Sequence, residues 1–190
     1  LDAEIIRDAA LASSGLLSQK MGGPGVYPPQ PPGCMNLGQQ RKTWKASSGE
    51  DRYRRAIYTY RWRATPHPAL KVFDTPDAFS CSTKRLRSNT PLQALTLLND
   101  PAFMEISKGL ARRVIENKSS DEKRVIYGFQ LCLSRAPDKR EVFILEDFLR
   151  RQQNSFETAP NETKILLRGQ DPLPNIKASQ HAAWIMLARV

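Results

Sequence analysis

The sequence has few of the residues from which metal and redox sites are usually built. It contains two histidines and three cysteines among 190 residues, and no two cysteines have the CxxC spacing that is typical of zinc and thiol redox motifs. Because Cys34, Cys81 and Cys132 are odd in number and far apart, they also exclude a disulfide-stapled fold. We therefore expect no metal site. A disulfide between Cys34 and Cys81 is left open, since both lie in loop-like sequence.

Long apolar runs are absent as well. No stretch approaches the roughly 18 to 20 apolar residues that a membrane-spanning helix needs. The chain opens on Leu1 without the basic segment, apolar core and small-residue cleavage site of a secretory signal. Residues 182–190 still have a helical pattern without a stop signal. We therefore expect no membrane span, and we expect the sequence to be cut from a longer chain.

Positive charge is what the sequence has in excess. Its 29 Lys and Arg residues against 19 Asp and Glu residues give a formal net charge of +10. Residues 41–87, which we call the basic window, hold twelve of the cations and four of the acids, so this window alone supplies +8. Such a concentration predicts attraction for phosphate, polyanions or an acidic partner surface.

The spacing of apolar residues divides the chain into three parts, which we expect to form one module. Residues 1–21 have near-helical spacing and are followed by Gly22-Gly23-Pro24, which predicts a helix that ends there. Residues 22–89 are an irregular, proline-rich basic arm, in which the alternation over 52–63 predicts a strand or an extended segment. Residues 90–190 are helical in pattern, with short loops that favour antiparallel packing. The sequence thus predicts a mainly α fold, a helical bundle body with a long irregular arm and one or two short strands.

Three residues of the basic window could carry catalytic chemistry. His67 lies between two prolines, which stiffen the backbone that presents its imidazole. A nucleophilic pair would need Cys81 close to His67 and a third group such as Asp74 to orient the ring. The structural alternative is that His67 donates to a loop carbonyl and that Asp74 caps a turn. The residues favour the structural alternative and leave the catalytic set as a hypothesis.

Arginines and aromatic side chains are interleaved in the same window. Arginine can form bidentate hydrogen bonds to carboxylate or phosphate, and aromatic rings beside it can stack on a sugar or a base. If residues 52–63 formed a strand, both of its faces would carry a mixture of charged and aromatic side chains. This mixture fits a binding groove. It fits equally well a segment that is covered by another element, with its arginines paired to acids. The predicted ligand-binding residues are Arg54, Arg55, Arg61, Trp62, Arg85, Arg87, Asn89 and Gln93.

An ordered string of short motifs runs through residues 53–101, and Leu131–Pro137 adds a later one. Its length and fixed order make a chance match to a family very improbable. In chain order the motifs are Tyr53-Arg54-Arg55, Ile57-Tyr58-Thr59, Pro66-His67-Pro68, Phe73-Asp74, Asn89-Thr90-Pro91-Leu92-Gln93-Ala94-Leu95 and Leu98-Asn99-Asp100-Pro101.

This string resembles planctomycete-specific domain one, a domain of unknown function at the C-terminal end of large secreted proteins in planctomycetes and related bacteria. The resemblance covers most of the chain. It implies export to the periplasm or the extracellular space, and upstream domains of the same chain as partners. Family members frequently carry a cytochrome c-like domain with a CxxCH haem motif. Since no CxxCH occurs here, we expect no cofactor in this sequence, and any haem would belong to another part of the parent protein.

Three interpretations of function are compatible with these residues. The first is a non-catalytic C-terminal module of an exported multidomain bacterial protein, either structural between domains or binding an anionic polysaccharide. The second is part of a hydrolase-like enzyme that acts on a polymeric or anionic substrate, with His67 and Asp74 as the candidate groups. The third is nucleic-acid binding through the basic window, which ranks last because its basic residues form no recognised reading motif.

Overall fold

The structure is a computed structural model, and it describes residues 1–37, 43–117 and 120–190. Arg41 and Lys42 of the basic window therefore lie outside the described residues. So does Ser119, which the sequence would place with Ser120 at the start of a helix.

The described residues form a mainly α fold, as the sequence predicts. They contain eight α-helices and three short 3-10 turns, at Cys34–Leu37, Gly49–Tyr53 and Ala56–Tyr58. None of these helices is long and apolar enough to cross a membrane. The helices are α1 Ala3–Ser14, α2 Pro68–Val72, α3 Pro91–Asn99, α4 Pro101–Asn117, α5 Asp121–Leu133, α6 Lys139–Thr158, α7 Pro160–Leu166 and α8 Ala178–Leu187.

Local signals explain where several helices begin. Pro stands at the first position of α2, α3, α4 and α7, where its missing N–H costs no hydrogen bond and its fixed φ suits the helix. At the start of α6 the backbone N–H of Glu141 donates to Asp138 Oδ1 at 2.8 Å, and the Asp138 N–H donates to Glu141 Oε2 at 2.8 Å. This reciprocal capping satisfies two donors that have no partner within the helix.

The first helix is shorter than the sequence pattern indicates. It ends at Ser14 rather than at Met21, because Gly15 adopts a left-handed φ of 77° that residues with a Cβ rarely adopt. The N–H groups of Leu16 and Leu17 then turn back to the Leu11 carbonyl, at 3.0 and 3.2 Å. Both leucines still pack against the core, but from the turn that follows the helix.

Residues 52–63 do not form a strand, so the strand interpretation of this segment is wrong. Among the described residues the structure has only two isolated bridges, Ser18 with Arg54 and Val26 with Thr59. Two backbone donors in the middle of the segment are used locally, since Tyr58 N–H donates to Arg55 and Thr59 N–H donates to Ala56. A ladder needs those donors for its neighbour, and here they close 3-10 turns.

The described residues cluster into two compact units. Unit 1 contains residues 1–12 and 16–106, and unit 2 contains residues 13–15 and 107–190. The core of unit 1 is built around Leu11, Ala69, Phe103 and Ile106. In unit 2, α8 packs along α6, and the stretch Ala182–Ile185 of α8 is almost completely buried. That these residues form the C-terminal module of a longer protein stays a prediction.

Candidate functional site

His67 is a buried structural residue at the start of α2. Its side chain is only 3% exposed, and its Nε2 lies 3.0 Å from the carbonyl oxygen of Pro29. A carbonyl can only accept, so Nε2 carries the proton, as the structural alternative predicts. Burial lowers the pKa of His67 to about 4. The hydrogen bond to Pro29 raises this pKa, and the positive charge of Arg7 lowers it further. The ring is therefore neutral at pH 7 and sealed from solvent, which argues against a catalytic role.

Asp74 closes a loop. Its backbone is left-handed, with φ of 60°, and its Oδ2 accepts from the Ser88 backbone N–H at 2.6 Å and from the Ser88 hydroxyl at 2.7 Å. The same Ser88 oxygen accepts from Gln93 Nε2 at 3.1 Å, and Gln93 also donates to the Val72 carbonyl at 3.0 Å. Asp74 and Gln93 thus meet through Ser88, a residue that the sequence reasoning missed. Ser88 lies 14 residues after Asp74, so no local signal in the sequence indicates this contact.

The three catalytic candidates have separate surroundings. Cys81 is an exposed free thiol in the loop that Asp74 closes, and Cys34 is also free. His67 contacts the Pro29 carbonyl, whereas Asp74 contacts Ser88. The contacts of these three residues do not assemble a base, an orienting carboxylate and a nucleophile.

Arg54 is the most deeply buried charged side chain of unit 1. It is 1% exposed, and its guanidinium donates to the backbone carbonyls of Lys20, Gly22 and Pro24. Its central carbon lies 3.8 Å from the centroid of the Tyr58 ring. Tyr58 in turn accepts the Gly22 N–H on its hydroxyl at 2.8 Å. Arg54 therefore organises the turn after α1 and is not available to a ligand.

Three further arginines pair with acids of α1 or of the residue before it. Arg55 Nε lies 3.5 Å from Asp8 Oδ2. Arg85 makes a bidentate pair with Glu4, at 2.7 and 3.3 Å, and Arg87 Nη2 lies 3.6 Å from Asp2 Oδ1. Acidic side chains are stabilised near the positive N-terminal end of a helix. The ion pairs of these arginines connect the basic window to α1. Asn89, also predicted to bind a ligand, is exposed just before α3.

A row of aromatic rings, which we call the aromatic strip, lies in unit 1. Its members are Trp44, Tyr27, Tyr60 and Trp62. The ring centroids are 5.0 Å apart for Trp44 and Tyr27, 5.0 Å for Tyr27 and Tyr60, and 5.1 Å for Tyr60 and Trp62. Tyr60 is 38% exposed, and the other three are half-buried. The rings are thus held in contact with one another while part of each remains open to solvent.

Extended backbone segments hold the aromatic strip in place. Val26 exchanges hydrogen bonds with the segment of Tyr58 and Tyr60, at 2.8 and 2.7 Å, and Tyr27 pairs with Ser47 on its other side, at 2.8 and 3.0 Å. Trp44 Nε1 is fixed by the Pro28 carbonyl at 2.6 Å. Gly25 permits the close approach, because a Cβ there would lie 3.3 Å from Cδ2 of Tyr60. The sequence reasoning missed Tyr27 and Trp44, whose neighbours are distant in the chain.

Arg61 and Arg63 differ from the other arginines of the basic window. Both are exposed, beside Tyr60 and Trp62 in the chain, and neither has an ion pair with an acid among the described residues. The part of the chain that the structure describes also contains no group of three or more His, Cys, Asp or Glu side chains able to hold a metal ion. The aromatic strip with Arg61 and Arg63 is therefore the best candidate surface in unit 1.

The chain was compared with protein families, curated proteins and solved structures. No curated protein and no solved structure matches it. One family model, PSD1, described as a protein of unknown function (DUF1553), matches residues 1–149. This range contains all of unit 1 and every residue that the sequence singled out for a site, and it confirms the family named from the motif string. The chain therefore belongs to the PSD1 family of proteins of unknown function.

Proposed function

We propose that the chain is a non-catalytic module that binds an anionic polysaccharide, and that the aromatic strip with Arg61 and Arg63 is the binding surface. The family resemblance implies that this module is part of an exported multidomain bacterial protein. The observation that carries the proposal is the partly exposed row of aromatic rings in a segment that also contains Arg61 and Arg63, two exposed arginines that form no ion pair among the described residues.

The pairing of the other arginines supports this location. Arg54 is buried under Tyr58, and Arg55, Arg85 and Arg87 have acidic partners in unit 1. A guanidinium that already holds a carboxylate must break that pair before it can hold a ligand. Arg61 and Arg63 form no ion pair of this kind among the described residues, although the Arg61 charge acts together with Arg85 to lower the pKa of Glu4. A guanidinium can bind a carboxylate or a sulfate through two parallel N–H groups.

The aromatic strip supports a sugar polymer rather than a bare polyanion. A sugar ring presents an apolar face of C–H groups, which packs well on the face of a tyrosine or tryptophan ring. Tyr27 and Tyr60 stack on each other, with 20° between their ring planes, so the strip can offer a sugar chain its outer ring faces and edges. Uronic or sulfated units would add the negative charge that Arg61 and Arg63 can bind.

Retention on immobilised polysaccharides tests the proposal. The chain is expected to be retained on sulfated and uronic polysaccharides and to elute early from neutral ones. Substituting Arg61→Ala with Arg63→Ala should abolish most of the retention. The matched control is Lys139→Ala with Arg140→Ala, which removes the same charge from exposed positions of unit 2. Equal losses in the two double variants would mean that net charge alone is responsible, and no retention at low salt would refute the proposal.

A second function, docking to an upstream domain of the parent chain, is favoured by a different observation. Four large apolar side chains of unit 1, Phe79, Leu86, Leu92 and Leu95, are each more than half exposed. They lie on α3 and the loop before it. Hydrogen exchange tests this function, because docking should protect the α3 amides in the parent protein but not in these 190 residues alone. Equal exchange in both would contradict it.

A further inference from the structure

Unit 2 contains a cleft that the proposed function does not use. It lies between the end of α6, α7, the segment after α7 and the start of α8, with a volume of about 850 Å³. All of its lining residues fall after residue 149, where the family match ends. Its size falls within the range of known small-molecule sites.

The wall of the cleft is largely apolar. Its apolar members include Phe156, Leu167, Leu173 and Ile176, together with two prolines. Among them Leu173 is buried, so the wall is anchored in the core of the unit. Such a surface favours the apolar body of a ligand, because contact removes apolar area from water.

Positive charge lies at the edge of the same cleft. Its lining includes Lys164, Arg168 and Lys177 against two acids, Glu157 and Asp171. Lys177 is paired with Glu157 at 3.8 Å, and Asp171 lies 3.9 Å from Arg112. Lys164 and Arg168 are exposed, are four positions apart and have no ion pair with an acid among the described residues. Two neighbouring cations without acidic partners predict an anionic group in the ligand.

His181 gives an independent indication that the cleft is incomplete. This side chain lines the cleft and is 3% exposed, and its Nε2 has no hydrogen-bond partner among the described residues. A buried polar atom without a partner costs about 1–3 kcal/mol and calls for an explanation. Burial, with smaller effects from the Arg112 and Lys108 charges, lowers the pKa of His181, so the ring is neutral at pH 7.

We infer that this cleft binds a small amphipathic carboxylate, with its apolar chain against Phe156, Leu173 and Ile176 and its carboxylate at Lys164 and Arg168. An alkyl carboxylate combines the two features that the lining recognises, apolar area and one negative charge. A carboxylate oxygen can also accept a hydrogen bond from His181 Nε2, which otherwise has no partner among the described residues. The inference is independent of the surface proposed for unit 1.

The two histidines make a direct test possible. The chain has one histidine in each unit, His67 in unit 1 and His181 in unit 2, so their imidazole NMR signals report separately. Titration with hexanoate should shift the His181 signals and leave those of His67 in place. Acetate lacks the apolar chain and hexanamide lacks the charge, so both should bind at least about tenfold more weakly.

Matched variants locate the carboxylate. Lys164→Gln with Arg168→Gln should weaken hexanoate binding by about tenfold or more, while Lys139→Gln with Arg140→Gln, which removes the same charge outside the cleft, should leave the affinity within about twofold. All four positions are exposed, and the ligand-free His67 and His181 signals report whether each variant is folded. No movement of His181 at saturating hexanoate, or equal shifts with hexanamide, would overturn the inference.

Discussion

Replacing Arg54 by methionine should destabilise unit 1 by about 3 kcal/mol. The guanidinium is almost inaccessible and donates to three backbone carbonyls of the turn after α1. A carbonyl that loses its buried donor costs about 1–3 kcal/mol, and the low end applies here because the turn is exposed and its carbonyls can rotate towards water. The lost contact with the Tyr58 ring adds a smaller cost, which the easier burial of methionine offsets.

The neighbouring residue provides the control for this prediction. Arg55 has the same charge, but its side chain is 48% exposed and makes a single long pair with Asp8. Arg55→Met should therefore cost less than about 1 kcal/mol. Urea unfolding followed by tryptophan fluorescence measures both variants, and the signals of His67 and His181 assign each transition to unit 1 or unit 2. If Arg54→Met loses no more stability than Arg55→Met, the structural role given to Arg54 is wrong.

Three further predictions follow from unit 1. The pKa of His67 falls from 6.5 to about 4 on folding, so the unfolded chain takes up the proton first as the pH is lowered. The contribution of His67 to the free energy of unfolding should therefore decline by about 3 kcal/mol between pH 6.5 and pH 4. The pH dependence of unfolding should be weaker in His67→Gln. Gly25→Ala places a Cβ 3.3 Å from the Tyr60 ring, which should lower the free energy of unfolding by about 1 kcal/mol. The displaced Tyr60 ring should also reduce polysaccharide retention. Unchanged retention would mean that Tyr60 is not part of the surface. Ser88→Ala removes the link between Asp74 and Gln93 and should speed tryptic cleavage of the loop between Asp74 and Ser88; an unchanged cleavage rate would contradict the link.

Several helices of residues 90–190 could be predicted because their signals are local, whereas the polar stretch that holds the end of α6 and most of α7 has a loop-like pattern. Thr90 and Pro91 open α3, Asp138 caps α6, and the last helix begins at Ala178. Each of these signals acts within a few residues. The end of α1 was missed because Leu16 and Leu17 fit a helical face, although Gly15 had already ended the helix.

The candidate surface could be predicted only in part, because its contacts join distant residues. Aromatic alternation indicated Tyr60 and Trp62, but their neighbour Tyr27 comes from the proline-rich arm. The arginines are equivalent in the sequence pattern. Only the folded chain shows which of them form ion pairs with acids of α1. Hydrogen bonds between side chains and distant backbone, such as His67 to Pro29, leave no periodic pattern to detect.

Binding of short oligogalacturonates, measured by calorimetry, tests the central claim most directly. We expect saturable binding to the wild-type chain, a loss of at least about tenfold in affinity for Arg61→Ala with Arg63→Ala, and an affinity within about twofold of wild type for Lys139→Ala with Arg140→Ala. Tyr60→Ala should also weaken binding, although it removes no charge. Single-stranded DNA of equal charge is the competing ligand, because its bases can also stack on aromatic rings, and tighter binding of DNA than of oligogalacturonate would contradict the polysaccharide assignment. Equal loss in the two double variants, or an unaffected Tyr60→Ala, would contradict the account.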